Sequence, residues 1–319
     1  MEDTVGHNID VIEQQIHELD PELLAILLRD ETTSQNIRWA CDDYAFLGKG
    51  YSAEDQILPP LITGDHTSVI RPRILKESET QAGRTREKAE VFTPSWVCNK
   101  QNNLIDRVWF GKTPQFNREG NKDWRALKRQ ITFGRQKGKH WQDYIVANRM
   151  EITCGEAPYL VSRYDTVTGE TIPVPARIGF LDRKLRVISE RVSDAGVWFE
   201  WAQKALQSCY AFDLQGDNVL LARENVLASV SEYYQEKFDA PLSKDQLRRA
   251  AIIIAWNIWQ MNGLTYTTPF SEETIVNDQM DLFTEMGGQV ELKQEIPSCI
   301  MDWQEGKVIQ YQSLVKGQC

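Results

Sequence analysis

Cysteine and histidine are the residue types that most often hold metals or activate nucleophiles, and this 319-residue chain contains six cysteines and four histidines. The cysteines lie far apart, and none forms a CxxC pair with a histidine nearby, so their spacing supports neither a zinc site nor a disulfide framework. The histidines form no HExxH motif and no evident pair with a nucleophile. We therefore expect no metal centre and no Ser/His/Asp catalysis.

A second group of residues could contact nucleic acid. The whole chain has a formal net charge of −10, which disfavours nonspecific coating of nucleic acid. Between residues 118 and 139, however, eight basic residues stand against two acidic ones, with Trp124, Phe133 and Trp141 among or beside them. This composition favours a surface that follows a nucleic-acid strand, and a solvated face is an equal alternative. The candidate DNA contacts are Arg125, Lys128, Arg129, Arg135, Lys137 and Lys139.

The elements that must position such residues alternate between strands and helices over residues 150–262. A strand and turn at MEITCG is followed by a hairpin at 162–182, a helix at 194–207 and a strand at CYAFDL. A helix at 217–236 follows, and another begins at Ser243 and runs into AAIIIAWNIWQM. Strands that alternate with helices in this way predict βαβ units, and hence an α/β fold with a mostly parallel sheet.

The flanking regions complete this expected architecture. Two helices with a break at Asp20 and Pro21 are predicted over residues 8–30, and a loop enters a helix over 91–110. We expect a mixed N-terminal region at 1–90 and a sheet domain at 91–319, whose last residues form two edge strands joined by a turn. No apolar run reaches the roughly 18 residues that a membrane span needs, so we expect a cytoplasmic protein without membrane contact.

Three segments, in order, resemble the gamma-type adenine-N6 DNA methyltransferases of restriction-modification systems. They are AEVFTPSWVCNKQNNLID at 89–106, EITCGEAPYL at 151–160 and YAFDLQGDNVLLAREN at 210–225. The resemblance implies a Rossmann-like, S-adenosylmethionine-dependent methyltransferase fold, with DNA as a partner and a specificity or nuclease subunit as a further one. It implies a transferase of a restriction-modification or phage-defence system.

The resemblance also implies which residues hold the S-adenosylmethionine cofactor. An entry segment would lie over its methionine end, a strand-to-turn motif would hold its amino group, and an acidic strand end would accept from both ribose hydroxyls. A residue after the next strand would contact its adenine. In chain order these candidates are Phe92, Thr93 and Pro94, then Glu151, Cys154 and Gly155, then Asp213, and finally Asn262. Each segment also has a structural alternative as a helix cap, a turn or a strand end.

The sequence departs from the family at its catalytic motif. Adenine-N6 methylation uses an Asn or Asp acceptor, a following proline and an aromatic residue that stacks on the flipped base, written NPPY or DPPF. The nearest strings here are TTPF, with Pro269 and Phe270, and IMDWQ, with Asp302 and Trp303. Three hypotheses follow: a DNA adenine-N6 methyltransferase, a catalytically inactive methyltransferase-fold subunit for DNA binding or assembly, and an enzyme that methylates another target.

Overall fold

The computed structural model describes residues 9–76, 93–277 and 290–316. Its α-helices are α1 (Glu13–Leu19), α2 (Pro21–Leu28), α3 (Ser95–Phe110), α4 (Trp141–Ile145), α5 (Phe180–Arg191), α6 (Ala195–Gln207), α7 (Gly216–Phe238), α8 (Lys244–Asn257) and α9 (Tyr311–Lys316). Its strands are β1 (Asn117–Glu119), β2 (Trp124–Ala126), β3 (Arg149–Ile152), β4 (Cys209–Asp213), β5 (Ile258–Gln260), β6 (Glu273–Asn277), β7 (Val290–Gln294), β8 (Cys299–Asp302) and β9 (Lys307–Gln310). Within these ranges, no helix combines the length and the apolar character needed to cross a bilayer.

Local capping explains where several helices begin. The Asp20 side chain accepts a hydrogen bond from the Glu22 amide at the start of α2, where Pro21 occupies the first turn. Asp194 caps α6, and Ser243 begins α8 with a capping box. These caps satisfy amide groups that would otherwise lack a partner at a helix start. The predicted break at residue 20 and the predicted start at Ser243 are therefore confirmed.

A parallel sheet of three strands lies at the centre of the fold, in the order β3-β4-β5. In its register, Glu151 is opposite Ala211, which is opposite Ile258. Helices α5 and α6 connect β3 to β4, and α7 and α8 connect β4 to β5. The predicted α/β class with parallel strands is confirmed by this arrangement.

The two faces of the sheet have different covers, because successive side chains of a strand point to opposite faces. Ala211 and Ile258 belong to the main helix-lined core, whereas Phe212 and Trp259 form a smaller cluster with Ile300 of β8. Strands β8 and β9 form a separate antiparallel pair. The two predicted C-terminal edge strands thus exist, but they lie on a face of the parallel sheet because their apolar side cannot remain in water.

The N-terminal region shares the main core with the sheet. One continuous cluster of buried side chains extends from Ile16 of α1 to Ile258 of β5. The Gln260 side chain exchanges hydrogen bonds with the backbone of Arg38 at 2.7 and 2.8 Å. A Cβ atom on Gly216 would lie 2.0 Å from the Arg38 carbonyl oxygen, so this close approach requires glycine.

Arg223 of α7 joins the N-terminal region to the sheet. Its buried guanidinium donates to the carbonyls of Leu27 and Arg29 at 2.7 and 2.8 Å. It also donates to the carbonyls of Ile258 and Ala255 at 2.8 and 3.1 Å. One side chain therefore satisfies carbonyl groups at the end of α2, near the end of α8 and in β5, where water cannot reach them.

We predict that Arg223→Ala lowers the free energy of unfolding by about 3–5 kcal/mol, because four buried carbonyls lose a charged donor. Urea denaturation measures this loss. Arg223→Lys should lose less, since one ammonium can replace some of the four bonds. Arg248→Ala is the matched control: Arg248 also binds the N-terminal region, through Asp20, but it lies at the surface and should matter little. A loss in Arg248→Ala as large as that in Arg223→Ala would contradict this account.

Candidate functional site

The carboxyl ends of the three parallel strands meet at one edge of the sheet, where open α/β sheets bind their ligands. The structure brings several sequence-predicted residues together there. The amide of Gly155, in the turn after β3, donates to Asp213 Oδ2 at the end of β4 at 2.9 Å. The Met261 amide, just after β5, donates to the Asp213 carbonyl at 2.9 Å, and Asn262 is the next residue. We call this edge the carboxyl edge.

The turn after β3 has an unusual backbone. Thr153, Gly155 and Ala157 have φ angles of 48°, 52° and 60°, in the left-handed region. Glycine adopts this region freely, but a β-branched residue such as threonine does so at a cost in strain. Strained residues of this kind concentrate at ligand-binding sites, where the surrounding structure holds them. Both its backbone geometry and its sequence therefore make this turn a candidate binding element.

Asp213 is buried, and both of its carboxylate oxygens accept backbone hydrogen bonds. Oδ2 accepts from Gly155, and Oδ1 accepts from the Gln215 amide at 3.0 Å. Burial raises the pKa of Asp213, and the two backbone bonds oppose that rise. The Asn218 side chain also hydrogen-bonds to this carboxylate, so ligand hydroxyls would use the lone pairs that remain or replace the Asn218 bond.

Glu151 is the second buried carboxyl group at this edge. It accepts from the amides of Tyr159 and Leu160 at 3.2 and 3.0 Å, and so closes the turn after β3 from inside. Burial raises its pKa to about 8, against the lowering effect of these two bonds. A cationic group beside Glu151 would favour its charged form, so the environment suits an ammonium ligand.

Glu156 lies in the same turn after β3. Its buried side chain turns inward, where it accepts from the Tyr164 hydroxyl at 2.7 Å and from the Arg73 amide at 2.5 Å. The Asn225 amide group donates to the Glu156 carbonyl at 3.2 Å. The carboxylate therefore binds the turn to Tyr164 and to the N-terminal region, and the Glu156 carbonyl binds the turn to α7.

Sequence reasoning missed Asp217, in the first turn of α7. Its buried carboxylate accepts from the Tyr44 hydroxyl at 2.7 Å and pairs with Lys76 Nζ at 3.1 Å. Its charge also raises the pKa of the neighbouring Asp213. The only signal in the sequence was an acidic residue at a helix start. Through Tyr44 and Lys76, the N-terminal region reaches the carboxyl edge.

The entry segment of the resemblance lies close to the same turn. Phe92 is outside the described residues, whereas Thr93 and Pro94 immediately precede α3. The Tyr159 hydroxyl interacts with the Thr93 side chain, and the Tyr159 amide donates to Glu151. At the start of α3 the helix is capped by Asp165, which accepts from the Ser95 amide at 2.7 Å. Thr93 does not cap it.

Asn262 and the TTPF segment also lie at the carboxyl edge. The Asn262 Oδ1 atom accepts from the Leu264 amide at 3.0 Å, and the Asn262 backbone pairs with Thr267. This turn leads directly to Pro269, which is buried, and to Phe270, whose side chain is 48% exposed. An exposed aromatic ring at this edge is a possible stacking surface for a base.

Asp302 and Trp303, the other catalytic candidates, lie at the opposite edge. Trp303 Nε1 donates at 2.7 Å to Asn257, the residue before β5 begins, and the Tyr210 hydroxyl donates to the Met301 carbonyl at 3.3 Å. Strands rise about 3.3 Å per residue, so β4 alone separates the two edges by about 13 Å. Groups that react with each other must come within about 3.5 Å. Asp302 is therefore separated from the cofactor candidates.

The basic segment forms an exposed surface on β2 and the loop that follows it. The side chains of Arg125, Lys128, Arg129, Arg135 and Lys137 are exposed, and Lys139 is half-buried. The aromatic residues of the segment turn toward the protein instead. Trp124 donates to the Ala176 carbonyl at 2.7 Å, and the Trp141 ring packs on Trp201. The segment thus presents charge to a strand, without stacking surfaces of its own.

Comparison with protein-family models, with curated proteins and with solved structures finds no match to this chain. Over the described ranges, no group of His, Cys, Asp and Glu side chains has the geometry of a metal site. The geometry of the carboxyl edge is therefore the main guide to function.

We predict that Glu151→Gln changes how stability depends on pH. The pKa of Glu151 is about 8 in the folded protein against 4.5 as its ordinary value, so its stabilising contribution is present below pH 4.5 and lost as pH rises toward 8. The glutamine carbonyl oxygen can keep one of the two amide bonds, the loss of the other does not vary with pH, and glutamine does not ionise. Between pH 5 and 8, the unfolding free energy of the variant relative to the wild type should rise, on the order of 2–4 kcal/mol.

Chemical denaturation at pH 5, 6.5 and 8 measures this difference. A difference between variant and wild type that stays constant over the three pH values would show that Glu151 is already charged at pH 5.

Proposed function

We propose that this chain is an S-adenosylmethionine-dependent methyltransferase-like protein that acts on DNA, with its cofactor at the carboxyl edge. The observation that carries the proposal is the hydrogen bond between the Gly155 amide and Asp213. It joins two of the three resembling segments across 58 residues of sequence. The two segments resemble the family through their residue types alone. Their contact at one edge is therefore independent support for a cofactor site there.

The architecture behind this edge supports a nucleotide-type cofactor. Three parallel strands that are neighbours in both sequence and space, with helical crossovers between them, correspond to one nucleotide-binding half of a doubly wound sheet. Ligands of such halves lie outside the carboxyl ends of the strands. Asp213 can accept from both ribose hydroxyls of the cofactor, and Glu151 can pair with its amino group. Asn262 can accept from the adenine amine through the second lone pair of its carbonyl oxygen.

DNA is the proposed substrate because exposed cations of the basic segment offer contacts to phosphates. At the carboxyl edge, the half-exposed ring of Phe270 can stack on a flipped base, and Pro269 directly precedes it. Adenine N6 methylation of DNA, in a restriction-modification or phage-defence setting, is the reaction that agrees best with the resemblance and with this placement. The proposed cellular location is the cytoplasm.

A second function is favoured by a different observation. The parallel sheet in the described part of the chain has three strands, which is one half of a doubly wound sheet, and the sequence has no NPPY string. A chain that has the cofactor-binding half of such a sheet but lacks the acceptor motif can serve as a DNA-binding or assembly subunit without methyl transfer. A specificity or nuclease subunit would then be its partner.

Calorimetry with S-adenosylmethionine tests the cofactor site. We predict that the wild type binds and that Asp213→Ala weakens binding by about tenfold or more, because both ribose hydroxyls lose a charged acceptor. Asp213→Asn provides a second variant, since its carbonyl oxygen can keep one of the two backbone bonds. Asp302→Ala, at the opposite edge, is the control and should bind as the wild type does. No binding heat for the wild type at high protein concentration would rule out the proposal.

Transfer of a tritiated methyl group distinguishes the enzyme from the inactive subunit. If the chain is a methyltransferase, labelled S-adenosylmethionine should label adenine in DNA. Phe270→Ala should reduce that labelling by about tenfold or more, because base stacking is lost. Its cofactor affinity should remain that of the wild type. Cofactor binding without transfer to any nucleic acid tested would favour the second function.

A further inference from the structure

A cavity of about 370 Å³ lies at the amino-terminal edge of the sheet, between the strands and the C-terminal pair β8 and β9. Its volume is in the range of small-ligand sites. One wall consists of apolar and aromatic side chains, among them Met150, Tyr210, Trp259, Trp303 and Tyr311. The Trp259 and Tyr311 rings are 5.4 Å apart, and flat rings of this kind are the usual surface for a planar aromatic ligand.

Asp302 supplies a carboxylate to the cavity. Its Oδ1 atom accepts from the amides of Gln304 and Glu305 at 3.0 and 3.1 Å, which fixes the side chain in the turn between β8 and β9. Its Oδ2 atom makes no hydrogen bond to any residue that the structure describes. A carboxylate only accepts hydrogen bonds, so it selects a ligand with a donor such as an exocyclic amine. The other polar residues of the lining are Asn148, Arg149, Lys204, Gln207, Ser208 and Gln304.

Ring contacts link the cavity to Trp141, which lies just after the basic segment in the chain. Lys204 lies at the cavity, and its Nζ atom is 4.3 Å from the centre of the Trp201 ring. The Trp201 ring packs on Trp141 at 4.6 Å, and Trp141 follows Lys139 closely in the chain. Lys204 at the cavity and the end of the basic segment are therefore joined through two tryptophan rings, and a phosphate could bind at Lys204 while a base enters the aromatic cavity.

We infer that this cavity binds the base of a nucleotide with an exocyclic amino group, adenine or cytosine, stacked on its aromatic wall and donating to Asp302. The nucleotide is either free or part of a strand that lies on the basic segment. The site is separate from the carboxyl edge, and it does not depend on cofactor binding. It recognises a nucleotide and takes no part in methyl transfer.

Calorimetry with adenosine and uridine monophosphates tests the inference. The wild type should bind the adenine nucleotide about tenfold more tightly, because uracil presents a carbonyl where adenine presents its amine. Asp302→Ala should remove this preference, whereas Asp194→Ala, which alters an exposed capping carboxylate elsewhere, should keep it. Leu314→Trp fills the cavity without touching the turn, and it should weaken both nucleotides. Equal binding of both nucleotides by the wild type, or no binding of either, would overturn the inference.

A short oligodeoxyadenylate identifies the source of the base. If a strand is the ligand, Arg125→Glu combined with Lys128→Glu should weaken oligonucleotide binding and reduce its salt dependence, with adenosine monophosphate unaffected. If the ligand is a free nucleotide, the oligonucleotide should bind no more tightly than the mononucleotide, and the double variant should change neither. Both results support the inference that the cavity binds a base. Oligonucleotide binding that is unchanged in Asp302→Ala and in Leu314→Trp would argue against it.

Since S-adenosylmethionine itself contains adenine, the two sites must be tested separately. Asp302→Ala should weaken the mononucleotide and leave S-adenosylmethionine binding intact, and Asp213→Ala should do the reverse. If Asp302→Ala abolishes both and Asp213→Ala neither, the cavity is supported and the cofactor assignment at the carboxyl edge fails. If S-adenosylmethionine binds as proposed but no mononucleotide or oligonucleotide binds at the cavity, this inference fails and the cofactor site remains.

Discussion

Three buried carboxylates hold the turn that follows β3, and the whole carboxyl edge depends on the bonds that they accept. Glu151 accepts from two amides of the turn, Asp213 accepts from Gly155, and Glu156 binds Tyr164. Left-handed backbone at a residue other than glycine costs on the order of 1–3 kcal/mol, and the turn has two such residues. Together with the backbone bond from the Cys154 amide to the Phe212 carbonyl at 2.9 Å, the carboxylates hold this strained turn against the end of β4.

This arrangement has an electrostatic cost that a ligand could relieve. Burial raises the pKa of both Glu151 and Asp213, which means that their charged forms are poorly solvated. Hydroxyl donors at Asp213 and an ammonium group at Glu151 would favour the charged forms that burial opposes. A protein with a site of this kind should be more stable with such a ligand bound than without it, because binding to the folded state alone shifts the unfolding equilibrium.

Local features could be predicted from the sequence, and long-range features could not. The caps at Asp20 and Ser243 depend on residues two or three positions away, and the parallel strands follow from alternation with helices. By contrast, the inward turn of Glu156 depends on Tyr164 and Arg73, which no spacing rule brings together. The position of Asp302 depends on the direction in which β8 crosses the sheet. That direction follows from burial of Ile300 against Phe212 and Trp259, a contact between distant segments.

The separation of the two edges bears on how the proposed methyltransferase could select its target base. A duplex rises 3.4 Å per base along each strand, so about 13 Å of β4 corresponds to about four base steps. A base held beside Asp302 would thus lie a few nucleotides from a base presented at Phe270, with the strand between them. Recognition at the cavity would restrict which adenines reach the carboxyl edge, because discrimination between bases comes from contacts to their edges rather than to the phosphates.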